Sequence, residues 1–159
     1  VRSCESAADT ADSDFSGTGL TVFAFRVAGV PLAVRAESLE YIRAQLIPTP
    51  LPRVPAHISG VVADGEEALP ILDLRMLLGL QSTEEVDGIP RTMVLKSGEL
   101  KAGVVVRPIG LVEIPPSDIR PPQSFDEHPW RTMLESELSL NGRTHALLDV
   151  ERVLEAARV

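Results

Sequence analysis

The sequence predicts a mainly β protein made of two similar small lobes that share one core, with short helices and a helix at its C-terminal end. Short apolar runs rich in Val, Leu and Ile recur between Gly, Pro and Asp punctuation. Asp64-Gly65 and Asn141-Gly142 each lie between two such runs, the strongest short signal for a hairpin, because Gly accepts positive φ where other residues clash. The two halves of the chain also repeat one another. At 159 residues the chain is long enough for one domain or two lobes around a common core. Aromatics are 4% of the residues, so the aliphatic side chains must supply most of the burial.

Taken in order, residues 1–18 are Ser, Ala, Asp, Thr and Gly with little to bury, and read as a disordered acidic tail ahead of a folded domain over 19–159. Thr21–Val27 is a strand, and Gly29 marks a turn into Pro31–Val34. Ala36–Leu39 reads as one helical turn, followed by a strand over about Leu39–Arg43. Prolines 48, 50, 52 and 55 exclude a central strand, since each lacks a ladder donor. Val54–Ile58 reads as a second helical turn. Gly60–Val62 is a strand running into Asp64-Gly65, and Ala68–Leu72 is its partner. Asp73 then caps a helix over Leu74–Leu78, its carboxylate accepting from orphan N–H groups of the first turn.

The polar stretch Gln81–Gly88 reads as the connection between lobes of roughly 20–80 and 90–158. Arg91–Lys96 is a strand, Ser97-Gly98-Glu99 a turn, Ala102–Arg107 a strand, and Leu111–Ile114 a further strand stopped by Pro115-Pro116. A loop with Pro121, Pro122 and Pro129 follows. Leu134–Leu140 and Thr144–Leu148 form the hairpin around Asn141-Gly142, and Asp149 caps a helix over Val150–Arg158.

The repeat rests on three ordered matches. Thr21-Val22-Phe23 resembles Thr92-Met93-Val94 at an offset of 71. Val34-Arg35, Leu39 and Ile42 match Val106-Arg107, Leu111 and Ile114 at an offset of 72. Ile71-Leu72-Asp73-Leu74 matches Leu147-Leu148-Asp149-Val150 at an offset of 76.

Charge narrows the function classes. The formal net charge is −8, of which the first 19 residues hold −3 (Arg2 against Glu5, Asp9, Asp12 and Asp14), leaving −5 on the body. An acidic body lacks the basic footprint of a nucleic-acid binder and is repelled by anionic lipid. Cys4 is the one cysteine, which excludes an internal disulfide and a cysteine zinc site. No run reaches the roughly 18 apolar residues of a membrane span. A secretory h-region is also not visible, so a cytoplasmic protein without membrane insertion is expected.

Catalytic patterns are weak. His57, His128 and His145 have no partners at ligand or general-base spacing and read as surface or satisfied strand residues. Asp126-Glu127-His128 reads as a solvated loop, and Trp130 as a loop anchor on the core. Asp73 and Asp149 could form a carboxylate pair, but their identical place in both repeats favours capping. Arg35 and Arg107 end matching strands, where a surface salt bridge and a partner contact are both open readings. No enzyme activity, cofactor or metal is expected. A ligand cleft between the lobes has no motif in its favour.

The chain resembles a CheW-like domain, the coupling protein of bacterial chemotaxis arrays. The resemblance is carried by Thr21–Phe25, Gly29, Leu32–Val34, Leu39 and Ile42. It continues through Pro55–Val61, Leu69–Arg75, Gly103–Val106, Ile119-Arg120-Pro121 and Leu147–Val150. It implies two intertwined five-stranded, SH3-like β-barrel subdomains around a common core. It also implies a non-catalytic adaptor that binds the regulatory domain of a chemotaxis-type histidine kinase and the cytoplasmic tip of chemoreceptors.

One stretch departs from the family. Where the pattern runs Gly-Val-x-Asn-Leu-Arg-Gly, this chain has Gly60-Val61-Val62-Ala63-Asp64-Gly65-Glu66, so the Arg associated with partner contact falls on Gly65. Tyr41 stands where a Glu is usual. A cation is lost and carboxylates are gained, which disfavours the usual partner. Tyr41, Gly60, Asp64, Gly65 and Glu66 are therefore the candidate partner-contacting residues, and Pro70, Asp73 and Asp149 the structural ones. The alternative function is a divergent regulator that insulates or antagonises signalling in another two-component pathway.

Overall fold

A computed structural model describes residues 19–80 and 88–158. The expected tail over 1–18, with Cys4, and the connection over 81–87 lie outside the described residues.

Apolar alternation and tight turns produce ten strands among the described residues. The first five are β1 (Leu20–Val27), β2 (Val30–Arg35), β3 (Leu39–Ala44), β4 (Ile58–Asp64) and β5 (Glu67–Leu72). The others are β6 (Arg91–Ser97), β7 (Leu100–Ile114), β8 (Ile119–Arg120), β9 (Leu134–Leu140) and β10 (Arg143–Leu148). Two helices, α1 (Leu74–Leu78) and α2 (Val150–Ala157), each follow an Asp. The hydrogen-bonded order is β3-β6-β7-β1-β2-β10-β9-β8, with β5 joining β7 and β4 joining β5. The path is open, so each lobe curls like a barrel without its ends pairing.

Curling is visible in what the strands bury. Leu69, Ile71 and Val94 make a small core that packs Tyr41 of β3 and Val62 of β4 against it. The two ends of the order β3-β6-β7-β5-β4 thus meet around one cluster. Val22, Ala33, Ile114, Leu138 and Leu147 do the same for the other curl, with Val112 and Ile119 against them. A larger core lies between. Phe23, Phe25, Leu32 and Val34 meet Met93, Leu95, Val104 and Val106 there, closed over by residues of α1 and α2 and by Trp130. β1 serves two cores because its alternate residues face opposite ways.

The halves of the sequence are interleaved. β1 pairs with β7 and β2 with β10, which in turn pairs with β9, whereas β3 pairs with β6, and β5 pairs with β7. The single strand β7 serves both curls: residues 100–106 pair with β6 and residues 107–114 with β1. Ala102–Arg107 and Leu111–Ile114, expected as separate strands, are parts of one, which corrects that expectation. Ala24 pairs with Gly110 and Phe25 with Pro108, so Ile109 is an extra residue in a bulge that absorbs the proline.

The registers also correct the first two repeat offsets. Val27 faces Val30 across the first hairpin turn, and Ser97 faces Leu100 across its counterpart, an offset of 70. Ala33 meets Leu147 and Gly103 meets Ile71 at the two parallel junctions, again 70 apart on one side and 76 on the other. A slip from 70 to 71 reverses which face a residue presents. It would set Phe23, in the large core, against Val94, in a small one; the true counterpart is Met93.

Two local expectations change. Val54–Ile58 is not helical: one turn closes there, the Ile58 N–H donating to the Pro55 carbonyl at 3.0 Å. The proline loop after Ile114 is more structured than expected, with 3-10 turns at Pro116–Asp118, Gln123–Phe125 and Pro129–Met133 and the short strand β8. Glu137 organises it. Its buried carboxylate accepts from the Ser124 N–H at 2.8 Å, the Ser124 hydroxyl at 3.0 Å and Arg120 Nη2 at 3.2 Å.

Candidate protein-binding surface

The β4–β5 hairpin carries most of the residues that the sequence singled out. Asp64 pairs with Glu67, leaving Gly65 and Glu66 as the two-residue loop. Gly65 has φ +67°, the left-handed conformation that the first loop position needs, and a Cβ added there would meet nothing within 4 Å. Glu66, Glu67 and Ala68 are exposed. The tip is therefore an open, acidic point.

Gly60 has a different physical reason. The strand-like residue Thr49 lies along the outer edge of β4, its N–H donating to the Val61 carbonyl at 2.8 Å and its carbonyl accepting from the Val61 N–H at 3.0 Å. A Cβ on Gly60 would sit 2.3 Å from the Thr49 carbonyl oxygen. Close backbone approach demands glycine here.

Tyr41 is half-buried on β3, and its ring packs on the Leu69–Ile71–Val94 core. Lys101 Nζ lies 5.7 Å and the Arg43 guanidinium carbon 5.9 Å from the ring centroid, within cation–π range. Tyr41 and Val62 thus pack against the same small core, and Tyr41 does not line the hollow beside the hairpin turn. Pro70 is half-buried in β5 opposite Val61. Asp73 and Asp149 are N-caps: their carboxylates accept from the Met76 N–H at 3.2 Å and the Arg152 N–H at 3.3 Å.

The sequence did not single out Ile47. It is 88% exposed, beside a shallow hollow of about 570 Å³ that it lines with Thr49, Val61, Val62, Ala63 and the hairpin turn. Its one sequence signal is an isoleucine standing beside Pro48 in a stretch too proline-rich to be a core strand.

The histidines do not converge. His57 Nε2 lies 3.2 Å from the Ala157 carbonyl, joining the approach to β4 with the end of α2. His128 packs with Phe125 and Trp130, whose indole is buried as the expected loop anchor. His145 corrects the expectation of a surface or satisfied residue. It is 2% exposed in β10, and neither ring nitrogen has a hydrogen-bond partner. A backbone group of Arg143 approaches the ring without hydrogen-bonding geometry. Burial first, then the charges of Arg26 and Arg143, push its pKa down. No group of three His, Cys, Asp or Glu among the described residues could hold a metal ion. Arg35 makes a salt bridge, its Nη2 2.6 Å from Glu135 Oε1, whereas Arg107 donates to the Gly88 carbonyl. No helix among the described residues is long and apolar enough to cross a membrane.

Curled sheets around a shared core, with an open hairpin and an apolar hollow on one side and no metal cluster among the described residues, offer surfaces rather than a reacting site. The CheW-like domain model matches residues 21–158, and the chain belongs to that family. Protein FrzA of Myxococcus xanthus is 37% identical over 139 residues, 86% of each chain. Chemotaxis protein CheW of Rhizobium meliloti (strain 1021) is 24% identical over 137 residues, 85% of this chain and 87% of that one. The scaffolding protein TtCheW from Thermoanaerobacter tengcongensis has the same fold, with a TM-score of 0.70 at 16% identity, covering 82% of this chain and 88% of that structure. The chain is a coupling or scaffold protein of chemotaxis-type signalling.

Proposed function

We propose that this chain works in the cytoplasm as a non-catalytic adaptor, joining the cytoplasmic tip of a chemoreceptor to the regulatory domain of a chemotaxis-type histidine kinase. The observation that carries this reading is the family match across 21–158, nearly the whole of the described chain. The adaptor needs surfaces rather than reacting groups, and open strand edges with exposed apolar side chains suit that work. Co-purification with the kinase regulatory domain and the receptor tip encoded in the same cell tests it. Retention of both fragments supports the role; retention of neither at high micromolar concentration sinks it.

A second reading is favoured by the hairpin tip. With Gly65 in place of the family's Arg and Glu66 and Glu67 exposed beside it, the chain insulates or antagonises signalling by binding one component without bridging to the usual other. Gly65→Arg tests this, since the added side chain has open space. Stronger binding to a standard receptor tip supports the insulator; unchanged binding removes the argument from this loop.

A further inference from the structure

The hollow beside Ile47 presents a combination that the rest of the described surface does not explain. Its floor is apolar: Val61, Val62, Ala63 and Ala68. Ile47 stands over it 88% exposed and joins the floor in one contiguous apolar patch, the arrangement that marks an interaction surface where a lone exposed isoleucine does not. Glu66 and Glu67 line the same hollow from the hairpin turn, and no Lys or Arg lines it. Neither carboxylate meets a cation among the described residues.

An apolar floor with uncompensated negative charge on one rim selects against an acidic or purely apolar occupant and for an apolar side chain flanked by cations. Gly65 leaves the tip clear for close approach, since nothing lies within 4 Å of where a Cβ would be. Thr49 hydrogen-bonds across β4 at Val61 and holds the floor in place.

We propose that this hollow seats an apolar side chain from a basic segment of the protein partner, while Glu66 and Glu67 pair with lysines or arginines on either side of it. The inference rests on the adaptor reading and names the chemistry of one of its contacts. Its partner surface is positive, the reverse of what an Arg at position 65 would select. Rim charges act chiefly on association rate and salt dependence, and the seated apolar group on dissociation.

The test measures binding of the full chain to the receptor-tip and kinase regulatory-domain fragments from the same cell, at low and high salt. The variants are Glu66→Lys/Glu67→Lys, Glu66→Gln/Glu67→Gln and Ile47→Ser, all at exposed positions where folding is checked by circular dichroism. For one fragment, the double lysine variant is expected to weaken binding at least tenfold and to flatten its salt dependence. The double glutamine variant should fall between it and the parent, and Ile47→Ser should raise the dissociation rate at unchanged salt slope. Parent binding that the lysine variant leaves within twofold for both fragments overturns this inference alone. Parent binding to neither fragment overturns the adaptor reading and this contact with it.

Discussion

Asp73 and Asp149 occupy the same node in the two halves of the chain, 76 residues apart. The Asp73 N–H donates to the His57 carbonyl at 2.8 Å and the Asp149 N–H to the Met133 carbonyl at 2.7 Å, themselves 76 apart. Each carboxylate then caps the helix that follows. One residue thereby closes a hairpin behind it and starts a helix ahead of it, twice.

Removing either cap should lower stability. Asp73→Ala and Asp149→Ala are each expected to cost about 1 kcal/mol, with Asn in place of Asp costing less. The capping hydrogen bonds are local to each helix, so the two losses should add in the double variant. Urea denaturation checks both points; a double variant no weaker than either single one would sink the idea of two independent nodes.

Gly60 and Gly65 both lie at positive φ, +151° and +67°, but only Gly60 adds a packing requirement. Gly60→Ala drives a Cβ to 2.3 Å from the Thr49 carbonyl oxygen. It should cost about 3 kcal/mol or more, the upper range for overpacking. Gly65→Ala meets nothing and suffers only its φ of +67°, about 1 kcal/mol. Equal losses in thermal denaturation would contradict the contact with Thr49.

Ala28 is held at φ +52° in the β1–β2 turn, where the β9–β10 turn uses Asn141 at the same φ followed by Gly142, as Ala28 is followed by Gly29. Ala28→Asn should therefore stabilise the chain by about 0.5–1 kcal/mol, because Asn tolerates the left-handed region. A lower denaturation midpoint would show that the methyl group's packing on the core outweighs the turn.

His145 and Glu137 should give two acid windows. The His145 pKa is lowered, so between its folded value and about 6.5 the unfolded chain binds a proton that the folded chain refuses. Stability is full above that window and falls as pH drops through it, and His145→Leu should remove the slope. Burial opposes the charge on Glu137, but Ser124 and Arg120 outweigh it and lower its pKa below about 4.5. Its contribution is present above that value and is lost as pH falls through the folded pKa. Glu137→Gln should flatten only this lower window. Measuring stability against pH for both variants checks the assignment; a slope below the ordinary histidine range that survives in His145→Leu would place the sensitive group elsewhere.

The Asp caps, the Asn141-Gly142 hairpin and the mainly β character were legible because each depends on residues within a few positions. The offset of 76 was legible too, since strand, cap and helix repeat without insertion from β4 through α1 to β9 through α2. The register of β1 against β6 was not. Phe23, Met93 and Val94 are all apolar and buried, and hydropathy does not say which core each enters. β7 reads in sequence as two strands, and only the β1 ladder shows a bulge at Ile109 carrying it past Pro108 as one. Of the candidate surface, the Gly65–Glu66 turn was visible in sequence. Ile47 was not, because its meaning comes from the neighbour across space, Val61 by way of Thr49.

β7 has one more consequence. Since its first part pairs with β6 and its second with β1, a chain opened within the connection over 81–87 would give two pieces, neither with a complete set of neighbours. Each piece would lack strands that only the other supplies, so the pair should be recoverable together and insoluble apart. The sequence repeats by halves, but the unit of folding is the interlocked pair.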